Sequence, residues 1–122
     1  MSSTVRIGIV GSGSIARYAH IPGYQVQKVV EIVAACDVVY ERAAEFAKDY
    51  GIPHAYGSYE EMLANERLDA VSICTPNVAH RDATIAALEA GVHVLCEKPM
   101  AMNLREAREM AAAAERANRV LQ

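Results

Sequence analysis

Val5-Arg6-Ile7-Gly8-Ile9-Val10-Gly11-Ser12-Gly13-Ser14-Ile15-Ala16 decides the fold. The apolar run Val5 to Val10 reads as a buried strand that enters a glycine turn and then the first turn of a helix. The spacing is G-x-G-x-x-A. Gly11 permits a sharp turn, Gly13 lets a ligand approach the main chain, and Ala16 is small enough for the new helix to pack on the strand. Backbone N–H groups around Gly13, Ser14 and Ile15 face a position where the helix dipole also favours an anion, so the motif predicts a pyrophosphate site. Gly8, inside the strand, reads as a packing glycine where the first helix comes close.

From this stretch outward, apolar runs alternate with helical patterns, which predicts βαβ units and a doubly wound parallel α/β sheet. The first helix starts near Ser14 and is expected to break at Pro22-Gly23. A second strand spans about Val29 to Cys36 and ends against Asp37. A helix from about Val39 to Tyr50 stops at Gly51. His54 to Tyr56 is a short strand, and Ser58 with Glu61 forms a capping box. Ala70 to Cys74 is the fourth strand, Val78 to Ala90 the helix ending at Gly91, and Val92 to Cys96 the fifth strand. Asn103 and Glu106 cap a last helix with Leu104, Ala107, Met110, Ala111 and Ala114 on one face. Val120-Leu121-Gln122 reads as the opening of a sixth strand.

The size, 122 residues, suits one domain, and the net charge is −3 with no basic block. Nucleic acid and anionic membrane are therefore not expected as partners. No run of about 18 apolar residues predicts a membrane span. Met1-Ser2-Ser3-Thr4 leads straight into the first strand, so no secretory leader is expected. Cys36, Cys74 and Cys96 are odd in number and lack metal-ligand spacing, which predicts small buried thiols, no metal site and a cytoplasmic setting.

Asp37 stands about twenty residues past the glycine turn, where a carboxylate suits the ribose hydroxyls of a dinucleotide. The alternative is a cap for the second helix. A carboxylate there repels a 2′-phosphate and Val38 offers no donor, so NAD is favoured over NADP. Arg42 is the counter-argument, a cation one turn into the helix. Thr75-Pro76-Asn77 is turn chemistry with Asn77 as N-cap of the fourth helix, and its place at the end of a parallel strand also suits a ligand contact. His80 follows in the first turn of that helix and is a candidate for ordering the loop.

These motifs, with Glu97-Lys98-Pro99 at the end of the fifth strand and Gly91-Val92-His93-Val94 before it, resemble the Gfo/Idh/MocA family of sugar and polyol dehydrogenases over essentially the whole chain. The resemblance implies a Rossmann domain that binds NAD or NADP. It places Thr75-Pro76-Asn77 and His80 against the cofactor and Glu97 at its nicotinamide side. Lys98 is then the catalytic residue, polarising a carbonyl or holding a substrate hydroxyl. Pro99 fixes the turn; the bond before it has the general preference for trans, with cis open.

The family also has a second domain that supplies most of the substrate site, a histidine acid/base partner and usually the oligomer contacts. The chain is thus expected to be the single dinucleotide-binding domain without that partner, binding cofactor with little turnover and possessing a surface suited to homo-oligomers. His54 and His93 read as structural, and His20 matches no site motif. The alternatives are a non-catalytic dinucleotide sensor and a Rossmann domain for CoA or a methyl donor.

Overall fold

The computed structural model describes residues 4–122. The start at Met1, Ser2 and Ser3, read as leaderless, lies outside them. Strands β1 (Val5–Val10), β2 (Val30–Cys36), β3 (His54–Tyr56), β4 (Ala70–Ile73) and β5 (His93–Cys96) form one sheet in the order β3-β2-β1-β4-β5. All four pairings are parallel. The helical elements are α1 (Ile21–Gln25), which continues a π-helical stretch Ala16–His20, then α2 (Tyr40–Tyr50), α3 (Tyr59–Asn65), α4 (His80–Glu89) and α5 (Leu104–Ala117).

Alternating strand residues feed two apolar layers. Ile7, Ile9 and Ala35 meet Ala16, Ile21, Phe46 and Ala47, so the first helix and α2 cover one face. Val33, Val71, Ile73 and Val94 meet Met62, Leu88 and Ala113, so α3, α4 and α5 cover the other. Helices on both faces of a parallel sheet make the doubly wound Rossmann arrangement expected from the strand–helix alternation. The chain steps from β1 outward to β2 and β3, then returns to β4 on the far side of β1. The adjacent ends of β1 and β4 are therefore a topological switch point, where such sheets open a crevice.

Local signals set most boundaries. The Ser58 hydroxyl accepts the Glu61 N–H at 3.1 Å. The Asn103 side chain accepts the Glu106 N–H at 2.9 Å, and Glu106 reaches back to the Met102 N–H at 3.1 Å. Leu121 makes an isolated parallel bridge to Val94, with Gln122 N–H on the Val94 carbonyl at 2.9 Å. The bridge lies beside β5, where the sequence suggests a sixth strand.

Four expectations are corrected. The first helix does not break at Pro22-Gly23 but runs to Gln25. The Ile21 N–H bonds to the Ala16 carbonyl, five residues back, and the wider π turn admits a proline that a regular helix would reject. Gly8 packs against α3 and the approach to β4, because a Cβ there would stand 2.9 Å from both Met62 and Leu68. Its neighbours Ile7 and Ile9 face the first helix, so strand alternation sends Gly8 to the opposite side. Asn77 caps nothing: it starts a 3-10 turn, Asn77–Ala79, ahead of α4, and no side chain caps that turn. On α5 the buried positions are Met110 and Ala113, while Ala111 is exposed and Leu104 is 64% exposed. An alanine-rich helix has little contrast between its faces, so its apolar pattern does not by itself set which face is buried.

Candidate functional site

Gly11 turns the chain at φ +94°, and a Cβ on it would stand 2.8 Å from the carbonyl of Cys74. It lets the loop after β1 pass directly against the end of β4. Gly13 is different: a Cβ on it would meet nothing within 4 Å, and its φ is not positive. The first intrahelical bond runs from Arg17 N–H to the Gly13 carbonyl at 3.2 Å. The amides of Gly13, Ser14 and Ile15 therefore precede any acceptor within the helix. Ser14 and Ile15 are exposed at the turn. Open space over a bare glycine, beside orphan donors at a helix start, fits a dinucleotide's diphosphate.

Asp37 ends β2 and is 9% exposed. Its Oδ2 accepts the Ser12 N–H at 3.0 Å and its Oδ1 the Val39 N–H at 2.9 Å. The carboxylate thus ties the glycine turn to the start of α2, whose N-cap position is Val39. The Arg42 guanidinium lies 3.8 Å from Oδ1, with its side chain 57% exposed.

The loops after β4 and β5 are joined by His80. Its Nε2 lies 3.0 Å from the Thr75 carbonyl and its Nδ1 2.8 Å from the Pro99 carbonyl. Both ring nitrogens are engaged by protein, and the ring is 1% exposed. The Thr75 hydroxyl is buried without a partner among the described residues. Pro76 and Asn77 are exposed. The Lys98–Pro99 bond is cis. Lys98 is exposed and borders a cleft of about 660 Å³ between the first helix and the end of β5.

Sequence reasoning missed His20. Its Nε2 lies 2.8 Å from Glu97 Oε1 and its Nδ1 2.9 Å from the Ser72 hydroxyl. The contact with Glu97 spans 77 positions, and no local pattern signals it. The hydrogen bond from His20 holds the Glu97 carboxyl below the usual carboxylate range, and the Lys98 amide and charge add to this. Cys36 and Cys74 lie at the ends of β2 and β4 as buried thiols, both pushed up to about 12 by burial. Cys96 is only half-buried. His54 and His93 serve the fold: His54 pairs with Glu66 at 2.8 Å, and His93 accepts the Val120 N–H at 2.9 Å. Among the described residues, no helix is long and apolar enough to cross a membrane.

Glycine turn, Asp37, Thr75-Pro76-Asn77 and Glu97-Lys98 all lie at the carboxyl ends of strands, around the switch point. Known proteins resemble the chain in sequence and in fold. D-glucoside 3-dehydrogenase of Escherichia coli K12 is 40% identical over 120 residues, which is 98% of this chain and 34% of that protein. 1,5-anhydro-D-fructose reductase of Ensifer adhaerens is 42% identical over 95% of this chain and 34% of its own length. Among solved structures, myo-inositol 2-dehydrogenase of Lactobacillus plantarum superposes with a TM-score of 0.89 at 29% identity, over 98% of this chain and 36% of that one. The WlbA dehydrogenase of Chromobacterium violaceum, solved with NADH and UDP-GlcNAcA, gives 0.90 at 30% identity, over 97% of this chain and 34% of that one. The chain spans about a third of the length of these relatives. The family profile of Gfo/Idh/MocA, an oxidoreductase family with an NAD-binding Rossmann fold, matches residues 5–122, and the chain belongs to that family.

Proposed function

We propose that the carboxyl edge of the sheet binds NAD(H) and forms the cofactor half of a dehydrogenase that oxidises a secondary alcohol of a sugar or polyol, or reduces the corresponding carbonyl. The observation that carries this reading is Gly13. Its φ is ordinary and no neighbour crowds it, and, unlike the similarly open Gly23, it stands at a helix start whose first amides have no acceptor within the helix, which supports an anion there. Relatives that act on D-glucosides and anhydrofructose, and one solved with NADH, support the substrate class and the cofactor.

Bound NAD(P) supplies the carbon that accepts or gives the hydride. The chain's own residues do the rest. The amides of Gly13, Ser14 and Ile15 hold the diphosphate. Asp37 keeps lone pairs beyond those taken by Ser12 and Val39, and these accept the adenosine ribose hydroxyls. Its negative charge favours NAD over NADP, against the pull that the neighbouring Arg42 would exert on a 2′-phosphate. Thr75, Pro76 and Asn77 line the cofactor on the β4 side. His80, with both nitrogens engaged, sets the two loops rather than touching the ligand. Lys98 presents an exposed ammonium that polarises a carbonyl or stabilises the developing alkoxide. The substrate walls and a second acid–base group belong, in this reading, to a companion domain, and the 122 residues alone bind cofactor with little turnover.

Calorimetric titration of the chain with NADH, NADPH, CoA and S-adenosylmethionine tests the first half. NADH binds tightest, and binding of only the last two overturns the assignment. Lys98→Ala in a chain that turns over a polyol tests the second half. Its kcat falls while NADH affinity holds, and a wild-type rate removes Lys98 from catalysis.

A further inference from the structure

His20 is 9% exposed, yet its ring is committed on both sides. Nε2 lies 2.8 Å from Glu97 Oε1, Nδ1 lies 2.9 Å from Ser72 Oγ, and the Tyr24 hydroxyl lies 2.5 Å from the same Ser72 oxygen. Residues of the first helix, β4 and the end of β5 thus meet in one row. Its proton order follows from chemistry. The Glu97 carboxylate only accepts, so His20 Nε2–H donates to it. In the neutral ring Nδ1 then accepts from the Ser72 hydroxyl, and Ser72 accepts from Tyr24. Each donor meets an acceptor, so the row fixes both the tautomer and the rotation of the ring. Buried polar groups cost free energy unless they are hydrogen-bonded, and a fully paired row rigidifies the groups it joins. What it holds is Glu97, whose other oxygen accepts the Lys98 N–H at 3.3 Å.

A dinucleotide lies across the switch point with one half on each side. Asp37 marks the adenosine side at β2, which leaves the nicotinamide half to the ends of β4 and β5. We propose that His20 is a positioning residue for that half. It fixes the Glu97 carboxylate, and with it the start of the Lys98 turn, while Ser72 and Tyr24 lock the ring. The proposal rests on the NAD(H) reading above.

The test measures NADH and ADP-ribose, which lacks the nicotinamide, on the same 122-residue chain. His20→Leu lowers NADH affinity about tenfold, the scale of one charge-assisted hydrogen bond, and leaves ADP-ribose affinity within about twofold. His20→Gln, whose amide N–H stands near the Nε2 position, recovers most of the loss. In a Glu97→Ala background, His20→Leu costs nothing further. Tyr24→Phe, which leaves the ring and its packing in place, gives an NADH-selective loss of about threefold and serves if His20→Leu does not fold. Equal losses of both ligands, additivity with Glu97→Ala, or no change in any variant overturns the proposal. Failure of the unsubstituted chain to bind ADP-ribose is a failure of the dinucleotide reading and removes the proposal with it.

Discussion

The two ends of the same parallel sheet are finished in opposite ways. At the amino end polar groups satisfy one another. The Arg6 N–H donates to Asp69 at 2.8 Å and the Arg6 guanidinium to the Arg67 carbonyl at 2.7 Å. Glu66, with a side chain 6% exposed, takes both Arg6 and His54. At the carboxyl end the amides of the glycine turn precede any helical acceptor, and the Thr75 hydroxyl is buried without a partner among the described residues. Gly13 there faces open space. Polar groups that pair internally stabilise a fold, whereas open donors at a loop-lined crevice are free to pair with a ligand, as the proposed function requires.

The largest effect comes from the two glycines of the turn, which separate stability from binding. A side chain at Gly11 meets the Cys74 and Thr75 backbone at 2.8–2.9 Å and an unfavourable φ. Gly11→Val costs about 3 kcal/mol in urea unfolding. Gly13→Val costs only about 1 kcal/mol of stability, as a poorer N-cap, and weakens NADH about a hundredfold. Equal unfolding by both substitutions would erase the contrast between the ends.

Asp37→Ala follows, weakening NADH about tenfold and narrowing the gap to NADPH in paired titrations. An unchanged NADH/NADPH ratio takes Asp37 out of the ribose role. At the amino end Glu66→Gln costs about 1 kcal/mol of stability with NADH affinity unchanged. A change in affinity there would mean that the ends are not independent.

The smallest effect is in pH. The Glu97 carboxyl is lowered from an ordinary 4.5, first by the His20 hydrogen bond. Its contribution to stability is therefore complete above about pH 4.5 and is lost as pH falls through the lower folded value. The stability difference between wild type and Glu97→Ala, followed by urea unfolding from pH 7 downward, shrinks in that acid range. A constant difference rejects the assignment.

Much of the fold was legible because its signals are local. Ser58-x-x-Glu61 and Asn103-x-x-Glu106 announce helix starts within four residues, and both caps form. Apolar runs ending in Cys36, Cys74 and Cys96 announce parallel strands, the second of which stops one residue earlier, at Ile73. The place of Asp37 beside the glycine turn, where its carboxylate accepts the Ser12 N–H, agrees with its spacing in the sequence. What sequence did not disclose is non-local or low in contrast. His20 finds Glu97 across 77 positions. Pro22 reads as a break, and only the altered hydrogen-bond spacing beneath it lets the helix continue. Ala111 and Ala113 are the same residue type, so pattern alone does not tell which is buried.

The π-helical stretch has a consequence for engineering. Ala16 and Ile21 are both fully buried although five positions apart, and His20 is buried between them. Regular α-helical winding aligns residues three or four apart, so this segment holds in effect one supernumerary residue. Its vulnerability is length rather than composition. A one-residue deletion between Ala16 and His20 would rewind the segment and swing the imidazole away from the strand ends, an injury that scanning side chains one by one would never reproduce.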